Sequence, residues 1–504
     1  MPHSPTTRRD FLTSASAAAA AVAAGAPALP GQAQRARRRN IVFILTDDHR
    51  YDFIGALGHP WLRGHTPHLD RLIERGTHFR NAFVTSSLCS PSRASILTGL
   101  YMHAHKVFDN FSPLDQKLST FPQLLKQSGY RTGFLGKWHM GGDSDAPQPG
   151  FDHWVSFRGQ GEYYNPTINR NGQTEKVDGY MGDVLTTEAR RFIRDNAAQP
   201  FCLYVSHKAV HYPFQPPKQH ANLWSGMAAP KPASMPYKEE FYAQLPEWVK
   251  RRRYSRHGVD GLFGHTSNFD DAYRGYCQCL KSVDDSVGEV MAELEERGLA
   301  NDTLVVYMGD NGYMWGEHGL VDKRAMYEPS MRVPLIAHCP DLAPGRRTVD
   351  AMTLNLDLAP TFLEAAGVRA PSGGHGRSWL PLLRGAPPSD WRRDFIYEYE
   401  WEQDYPYTPT ITGLRTARHS LMLTQGVWDI AELYDLEKDP DQMRNLVADV
   451  RISHQRGRLA MNVTGEERKK LVDSLQNRLA ALLDATGGDA RRSGKGSEND
   501  RYAL

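Results

Sequence analysis

A chain of 504 residues with 40% hydrophobic and 23% charged residues has the composition of a globular protein with a sizeable core. Its 60 basic and 58 acidic side chains leave a formal net charge of +2, which argues against a protein that coats nucleic acid or another polyanion. Five cysteines are too few for a disulfide-rich scaffold, and the odd number leaves at least one thiol over for another purpose.

The N-terminus is predicted to be an export signal. Arg8 and Arg9 precede a Phe-Leu pair and an Ala-rich segment that ends at Leu29. A bilayer span needs about 20 strongly apolar residues, and this weakly apolar segment instead resembles a twin-arginine (Tat) signal peptide. We therefore expect residues 1–33 to direct export by the Tat machinery to the periplasm or the medium, with no stable membrane anchor. A disordered tail with a chance arginine pair is the alternative.

Four short apolar runs are predicted to be strands of one mostly parallel sheet. The first, residues 41–45, is continuously apolar, as in a strand buried on both faces. The others are residues 132–135, 201–205 and 304–308. Helix candidates alternate with these runs. One is capped by Thr66-Pro67 and closes at Gly76, and a long amphipathic one covers residues 273–297. This alternation predicts an α/β fold.

The C-terminal third is predicted to form a separate, smaller unit. A segment rich in Pro, Gly and Ser, residues 369–394, marks a boundary between a catalytic domain of residues 40–370 and an α+β subdomain of residues 395–485. That subdomain holds short strand-like runs at 395–399 and 420–424. It also holds an amphipathic helix with one apolar stripe, formed by Leu471, Leu475, Leu479 and Leu482.

Two further segments are predicted to lie outside the regular fold. The polar tail, residues 486–504, has the composition of a disordered segment. The Pro-rich stretch of residues 215–256 ends in four basic residues, 250–253, and is predicted to be a long surface excursion. A role for it in gripping an anionic substrate is the alternative.

Chemically capable side chains follow each of the four apolar runs. In open α/β sheets ligands bind outside the carboxyl ends of the strands, so we expect these side chains to converge on one site. In chain order they are Asp47, Asp48, Lys137, His139, Ser206, His207, Lys208, His211, Asp310 and Asn311.

Four of these side chains form a candidate metal site. Asp47, Asp48, Asp310 and Asn311 all offer hard oxygen donors, which suit Ca²⁺ or Mg²⁺ better than zinc. Taken alone, the Asp47-Asp48 pair is better explained as a solvated turn or a helix cap. The presence of Asp310 and Asn311 after a second predicted strand favours the metal site over that explanation.

The most specific signal is the segment of residues 88–99, LCSPSRASILTG. Its C-x-P-x-R pattern at Cys89, Pro91 and Arg93, followed by Leu-Thr-Gly, resembles the signature of type I sulfatases of the alkaline phosphatase superfamily. The resemblance extends over about residues 40–450 and includes GEHGLVDK at 316–323. It implies an alkaline-phosphatase-like fold, a mostly parallel sheet flanked by helices with a smaller C-terminal α+β subdomain.

The resemblance also implies a modified cysteine and a metal. In that family the cysteine is oxidised to Cα-formylglycine (3-oxoalanine), whose hydrate is the nucleophile. Cys89 would then be converted by a formylglycine-generating enzyme and would join Asp47, Asp48, Asp310 and Asn311 around Ca²⁺ or, alternatively, Mg²⁺. Pro91 is predicted to lie in the first turn of a helix that places residue 89 at its N-terminus, where free N–H groups favour an anion.

Five further side chains receive roles from the same resemblance. Arg93 would orient the hydrated aldehyde, and Lys137 and Lys323 would bind sulfate oxygens. His211, with Lys323, would protonate the departing alcohol. His139 would deprotonate the second hydroxyl, which expels sulfate and restores the aldehyde. His207 receives no role.

The expected activity is hydrolysis of sulfate esters, with a sulfated sugar or oligosaccharide as the expected substrate. Residues 206–214 and 323–328 resemble bacterial N-acetylglucosamine-6-sulfatase-like proteins. The aromatic and acidic segment of residues 397–405 is either a sugar subsite or an ordinary strand and loop. Two other functions stay open, namely phosphonate or phosphate monoester hydrolysis within the same superfamily and non-catalytic carbohydrate binding.

Overall fold

The computed structural model describes residues 38–493, except residues 143, 265–268, 426–430, 451 and 456–457. The predicted signal peptide and the last residues of the predicted tail therefore lie outside the described residues. No helix in the described part of the chain is both long enough and apolar enough to cross a bilayer.

Twenty strands are present in the described residues. They are β1 (Asn40–Thr46), β2 (Thr77–Phe79), β3 (Ala82–Phe83), β4 (Arg131–Gly136), β5 (His153–Ser156), β6 (Thr167–Arg170), β7 (Gln173–Lys176), β8 (Phe201–Ser206), β9 (Thr303–Gly309), β10 (Met314–Trp315), β11 (Val321–Asp322), β12 (Leu335–His338), β13 (Arg347–Val349), β14 (Thr353–Leu354), β15 (Asp394–Tyr399), β16 (Thr410–Thr416), β17 (His419–Gln425), β18 (Ala431–Asp435), β19 (Ile452–Gln455) and β20 (Arg458–Met461).

Thirteen α-helices alternate with the strands in the described chain. They are α1 (Pro67–Arg75), α2 (Cys89–Thr98), α3 (Met102–His105), α4 (Phe121–Gln127), α5 (Met181–Asp195), α6 (Glu239–Tyr242), α7 (Glu247–Arg252), α8 (Val259–Phe263), α9 (Phe269–Glu296), α10 (Glu328–Met331), α11 (Leu358–Ala365), α12 (Leu380–Leu383) and α13 (Glu466–Thr486).

A ten-stranded sheet in the order β13-β2-β12-β9-β1-β8-β4-β5-β6-β7 organises the molecule. Its central strands β9, β1, β8, β4 and β5 are parallel neighbours, and β12, β6 and β7 pair antiparallel. The four predicted apolar runs are β1, β4, β8 and β9, which are confirmed and lie side by side. The predicted α/β class with a mostly parallel sheet is therefore confirmed.

Strand β1 is continuously apolar because both faces of the sheet are covered. Phe43 belongs to one hydrophobic cluster, with residues of α2, α4 and α11, whereas Val42 and Ile44 belong to a second cluster with residues of α1, α5 and α9. All seven residues of β1 are buried. A strand that is buried on both faces needs no alternation of polar and apolar residues, which explains why a short uninterrupted apolar run correctly predicted a central strand.

The two predicted helices are present with small differences. Helix α1 begins at Pro67, as predicted, but the Thr66 hydroxyl makes no capping bond to the helix. It accepts a hydrogen bond from the Gly55 N–H at 2.8 Å and donates to Asp70 at 2.9 Å instead. The long helix, α9, begins at Phe269 and ends at Glu296.

The C-terminal part is built on an antiparallel sheet in the order β15-β16-β17-β18. The runs predicted at 395–399 and 420–424 lie in β15 and β17. Helix α13 packs against this unit through a buried apolar stripe formed by Val472, Leu475, Leu479 and Leu483. Two residues of the predicted stripe, Leu475 and Leu479, belong to it, whereas the other two, Leu471 and Leu482, are only partly buried. The exact domain boundaries remain predictions.

Two segments predicted to be irregular are packed more closely than expected. In the excursion of residues 215–256, Trp248 is buried and donates a hydrogen bond to Glu432 at 3.3 Å, so its end belongs to the core. In the predicted tail, a 3-10 helix at Ala490–Ser493 follows α13, and Arg492 forms an ion pair with Glu400 at 2.7 Å. The start of this tail is thus held against the C-terminal sheet.

Candidate active site

The carboxyl ends of β1, β4, β8 and β9 bring the predicted side chains together around Cys89. The Cys89 Sγ atom lies 3.4 Å from an Asp47 carboxylate oxygen, 3.4 Å from the Lys137 Nζ atom and 3.2 Å from the Lys323 Nζ atom. Each of these four side chains is at most 1% exposed. The convergence expected from the strand order is therefore present in the structure.

Cys89 is the first residue of α2, as predicted from Pro91. Leu88 precedes the helix in an extended conformation, and its own side chain makes no capping hydrogen bond. Pro91 lies in the first turn, where a missing N–H costs no helical hydrogen bond. The Ser90 N–H is bound by the Asn110 side chain at 3.1 Å. The helix dipole thus points its positive end at residue 89, which favours an anion there.

The acidic residues form a compact set of oxygen donors beside Cys89. Ligand atoms of Asp47, Asp48 and Cys89 lie within 4.8 Å of one another. Asp310 accepts a hydrogen bond from the Asp48 N–H at 2.9 Å, and the Asn311 amide donates to Asp48 at 2.7 Å. The Asn311 Oδ1 atom is buried and has no hydrogen-bond partner among the described residues. This donor set fits a hard divalent cation.

Two buried lysines balance the charge of this acidic set. Lys137 contacts Asp47 and Lys323 contacts Asp48, each through its ammonium group and a carboxylate oxygen. Both ammonium groups also reach the Cys89 side chain. Because residue 89 lies between two positive charges at a helix N-terminus, an anionic group bound there is electrostatically favoured.

Arg93 binds the ends of the central strands in this structure, and its predicted role toward a hydrated aldehyde at residue 89 stays a prediction. Its Nε and Nη2 atoms donate to one oxygen of Asp310 at 3.0 and 2.8 Å. Its Nη1 atom donates to the Lys137 carbonyl and to the Ser206 hydroxyl, both at 2.6 Å. In this arrangement Arg93 ties the ends of β4, β8 and β9 together and orients Asp310.

The two predicted catalytic histidines contact different residues of the site. The His211 Nδ1 atom is 2.6 Å from the Tyr212 carbonyl, so it carries a proton and leaves Nε2 4.0 Å from Asp48. His139 has its Nδ1 atom 3.4 Å from the Ser90 hydroxyl and its Nε2 atom 3.0 Å from the Gln160 amide. His211 therefore lies next to Asp48, and His139 lies next to Ser90, the residue that follows Cys89.

Burial and neighbouring charges separate the pKa values of the acidic groups. Burial raises the pKa of Asp48 to about 7, with Lys323 opposing and the Asp47 charge adding to the shift. Burial is also the largest single influence on Asp47 and acts to raise its pKa, but the charge of Lys137 and those of its basic neighbours together outweigh burial and hold the pKa of that carboxyl well below its usual range. Burial, assisted by Asp47, raises the pKa of the Cys89 thiol to about 12. An unmodified Cys89 is thus a neutral thiol, which is a poor nucleophile.

The histidines are held neutral. Burial, followed by the Lys137 charge, keeps the pKa of both His139 and His211 well below the usual range. A neutral imidazole suits a base, the role predicted for His139. His207 is also buried, which lowers its pKa to about 4, and its Nε2 atom has no hydrogen-bond partner among the described residues.

Three residues at the site received no role from the sequence. Lys208 is 2% exposed and its Nζ atom lies 4.4 Å above the Tyr163 ring. Burial and the Lys137 charge lower the pKa of Lys208 to about 8. Its position after β8 was the only available signal. Gln160 and Asn110 come from irregular loops, where no spacing pattern points to a site.

The aromatic and acidic segment of residues 397–405 divides into two parts. Tyr397 and Tyr399 are buried in β15, as expected for an ordinary strand. The second part reaches the residue that follows Lys323, because Glu402 forms an ion pair with Arg324 at 2.7 Å and the Arg324 guanidinium lies 3.5 Å from the centre of the Tyr405 ring. This loop therefore borders the candidate site.

Comparisons with known proteins agree with this geometry. Residues 39–368 match the family model described as "Sulfatase", and residues 316–469 match the one described as "N-sulphoglucosamine sulphohydrolase, C-terminal". Residues 2–30 match a TAT signal model described for the ubiquitinol-cytochrome C reductase Fe-S subunit, which identifies the N-terminus as a Tat export signal.

Among relatives, the N-acetylglucosamine-6-O-sulfatase of Bacteroides thetaiotaomicron is 31% identical over 88% of each chain. A solved structure described as a complex with its substrate D-glucosamine-2-N,6-O-disulfate is 28% identical, with a TM-score of 0.77, and covers 91% of this chain and 100% of its own. A phosphonate monoester hydrolase from Silicibacter pomeroyi shares the fold at 24% identity, with a TM-score of 0.72, over 89% of this chain and 96% of its own. The chain belongs to the sulfatase family of the alkaline phosphatase superfamily and is a sulfuric ester hydrolase.

Proposed function

We propose that this sulfatase removes sulfate from sulfated carbohydrates, with glucosamine-type sugars as its substrate class. The observation that carries the proposal is the placement of Cys89 between Lys137 and Lys323, beside three carboxylates at the ends of the central strands. The relatives named for glucosamine sulfates support the choice of sugar. The aromatic and acidic loop after β15 supplies side chains suited to a sugar near this site.

The maturation proposed for this chain has two parts. A formylglycine-generating enzyme oxidises Cys89 in the cytoplasm, and the Tat machinery then exports the folded protein to the periplasm or the medium. Conversion precedes folding because Cys89 is completely buried at the base of the site. As a formylglycine hydrate, residue 89 would supply an oxygen nucleophile with a second hydroxyl for release of sulfate.

The proposed metal site consists of Asp47, Asp48, Asp310, Asn311 and the modified residue 89. These are oxygen donors, and the unpartnered Asn311 Oδ1 atom is available to a cation. We propose Ca²⁺ for this site, with Mg²⁺ as the alternative, because hard oxygen ligands suit both. The bound cation would polarise the sulfate oxygens.

The remaining side chains bind the sulfate group and move protons. Lys137 and Lys323 hold sulfate oxygens as point charges, and Arg93 fixes the carboxylate of Asp310. His211, with Lys323, delivers a proton to the departing sugar oxygen, which requires that the negative charge of a bound sulfate ester raise the pKa of the His211 imidazole so that Nε2 is protonated. Neutral His139 takes the proton from residue 89 that allows sulfate to leave.

Paired assays on fully converted, metal-loaded protein test the function. We expect turnover of 6-sulfated N-acetylglucosamine and of related glucosamine sulfates in a panel of defined sulfated mono- and disaccharides. A sulfate ester, a phosphate ester and a phosphonate ester with the same leaving group are compared in parallel. Faster turnover of a phosphorus ester would reverse the assignment in favour of the alternative hydrolase. Sugar binding without any turnover would favour a non-catalytic relative.

His211→Gln is expected to slow the release of poor leaving groups selectively. A sugar alcohol needs a proton as it departs, so its sulfate ester should react about 10²–10⁴-fold more slowly in the variant. Nitrophenyl sulfate, whose leaving group needs no proton, should lose less than about tenfold. The measurement is kcat/KM for both esters, with His207→Gln as the matched control. Equal losses on both esters would remove the acid role from His211.

Export is expected to remove the N-terminus before Asn40. Replacing Arg8 and Arg9 together with lysine should leave the precursor in the cytoplasm, because Tat recognition depends on the arginine pair. N-terminal sequencing of the exported wild-type protein checks the cleavage. Exported protein that still begins with Met1 would contradict the prediction.

A further inference from the structure

The backbone around Lys323 is held in an unfavourable conformation. Asp322 has φ 79° and Arg324 has φ 71°, so the residues on both sides of Lys323 adopt the left-handed region that non-glycine residues rarely occupy. Such conformations persist only where surrounding contacts fix them, and they concentrate at functional sites. The distance between the Lys323 ammonium group and residue 89 therefore depends on contacts made to this segment from outside.

Arg252 supplies several of those contacts. This last residue of α7 is 1% exposed, and its Nη2 atom donates to the carbonyls of Lys323 and, at 3.4 Å, Val321. Its Nη1 atom donates to the Arg324 carbonyl at 3.3 Å. One guanidinium group thus binds three carbonyls within four consecutive residues, a geometry that only a planar fork of donors allows.

The pairing of Arg252 is unusual for a buried arginine. The nearest carboxylate oxygen, on Asp322, is 3.9 Å away, and the Arg252 Nε atom has no hydrogen-bond partner among the described residues. A buried charge without a hydrogen-bonded carboxylate is costly, and a well-packed apolar side chain is often as stable in such a place. The fold would gain little from this residue unless its contacts to the carbonyls served another purpose.

The neighbours of Arg252 act on the same segment. The His257 carbonyl accepts a hydrogen bond from the Val321 N–H at 3.0 Å, and the His257 ring lies 3.0 Å from the Asp322 carboxylate. The end of the excursion of residues 215–256 and the residues after it are therefore in contact with the strand that leads into Lys323. The sequence predicted residues 215–256 to be a surface excursion or, alternatively, a grip on an anionic substrate, but Arg252, near the end of that stretch, is buried against residues 321–324.

We infer that Arg252 is a positioning residue that fixes the backbone of residues 321–324 so that the Lys323 ammonium group faces residue 89. The inference rests on the role proposed for Lys323 as a cation for the sulfate group. Arg252 itself binds only backbone carbonyls in the described hydrogen bonds, so its effect on the site passes through Lys323.

The test is a double-mutant cycle on binding of inorganic sulfate, measured by titration calorimetry on the metal-loaded protein. Arg252→Gln and Lys323→Met should each weaken sulfate binding by about tenfold or more, the worth of one charge-assisted hydrogen bond. The double variant should bind no more weakly than Lys323→Met alone, because Arg252 acts through Lys323. Additive losses in the double variant would overturn the inference.

Two further variants separate positioning from charge and from general stability. Arg252→Lys keeps a buried cation if the glutamine variant fails to fold, but its three donors lie on one nitrogen, so it cannot reproduce contacts that Arg252 makes through two separate nitrogens. We expect it to bind sulfate as weakly as Arg252→Gln. Wild-type affinity in Arg252→Lys would show that charge alone matters and would overturn the inference. Arg251→Gln, on the exposed face of the same helix, is the matched control and should bind sulfate normally.

The readout does not depend on turnover. If the wild-type protein binds sulfate but hydrolyses no sulfate ester, the proposed function fails while the cycle still decides the role of Arg252. If the wild-type protein is an active sulfatase and Arg252→Gln binds sulfate with unchanged affinity, the inference fails and the proposed function stands.

Discussion

Replacing Cys89 with alanine is expected to abolish turnover, with a loss of at least about 10⁴-fold in kcat, as for removal of a nucleophile. Cys89→Ser should be equally inactive in a host that converts only cysteine. Neither change should prevent folding, because the side chain is small and lies at a helix start. Cys277→Ala, at another completely buried cysteine, serves as the control and should retain activity.

The reason is that a thiol cannot complete the reaction. A thiol that attacked sulfur would form an adduct without a second hydroxyl, and the adduct would have no easy route to expel sulfate. An aldehyde hydrate carries that hydroxyl. We propose that His139, whose Nδ1 atom lies 3.4 Å from the hydroxyl of the neighbouring Ser90, takes its proton. Activity should therefore rise in proportion to the fraction of residue 89 that is converted to formylglycine.

Peptide mass spectrometry on the tryptic fragment that contains residue 89 measures this fraction. The protein is prepared from hosts with and without a formylglycine-generating enzyme, and kcat is plotted against conversion. A straight line through the origin is the expected result. Full activity in protein whose Cys89 is entirely unmodified would contradict the mechanism.

The sequence was informative where chemistry follows directly from a buried strand. The run of residues 41–45 could be read as a two-sided strand because it has no polar alternation, and Asp47 and Asp48 follow it at the carboxyl end. The same logic placed Asp310 and Asn311 at the end of β9. Strands β1 and β9 prove to be parallel neighbours, so the two pairs of side chains lie close together. The C-x-P-x-R pattern then predicted the helix start at Cys89.

What the sequence could not supply were the partners of the charged side chains. Arg93 binds Asp310, which is 217 residues away, and the chain offers no local signal for that pairing. Arg252 lies in a run of four basic residues, which in a sequence is typical of a solvated surface. Only the fold brings its side chain to the Lys323 carbonyl. Such contacts depend on how distant elements pack, which residue spacing does not encode.

Asp310→Ala is expected to remove the metal and lower kcat by about 10³-fold or more, because the cation and its carboxylate polarise the sulfate group. The structure adds a second consequence. Asp310 is the hydrogen-bonded carboxylate of the buried Arg93, so its loss leaves that charge with only the Asp47 carboxylate, 3.9 Å away. Breaking a buried ion pair from one side typically costs about 3–5 kcal/mol in the free energy of unfolding.

These two effects can be separated with Asp310→Asn and a chelator. Asparagine keeps the volume and one oxygen acceptor for Arg93, so it should restore part of the stability but little of the activity. Chelation should lower the unfolding temperature of the wild-type protein, which loses a ligand bound to its folded state, and should leave that of Asp310→Ala almost unchanged. Metal content is measured by elemental analysis of each variant.

Asp357→Asn is the matched control for this experiment. Asp357 is also completely buried, accepts hydrogen bonds from the N–H groups of Leu354 and Arg377, both at 2.8 Å, and, like Asp310, pairs with an arginine, Arg392. It immediately precedes α11, a helix that contributes none of the proposed ligands. Its replacement should therefore lower stability while metal content and kcat stay normal. If Asp310→Ala behaves in the same way, with full metal content and normal turnover, Asp310 is not a ligand and the metal site must be assigned to other residues.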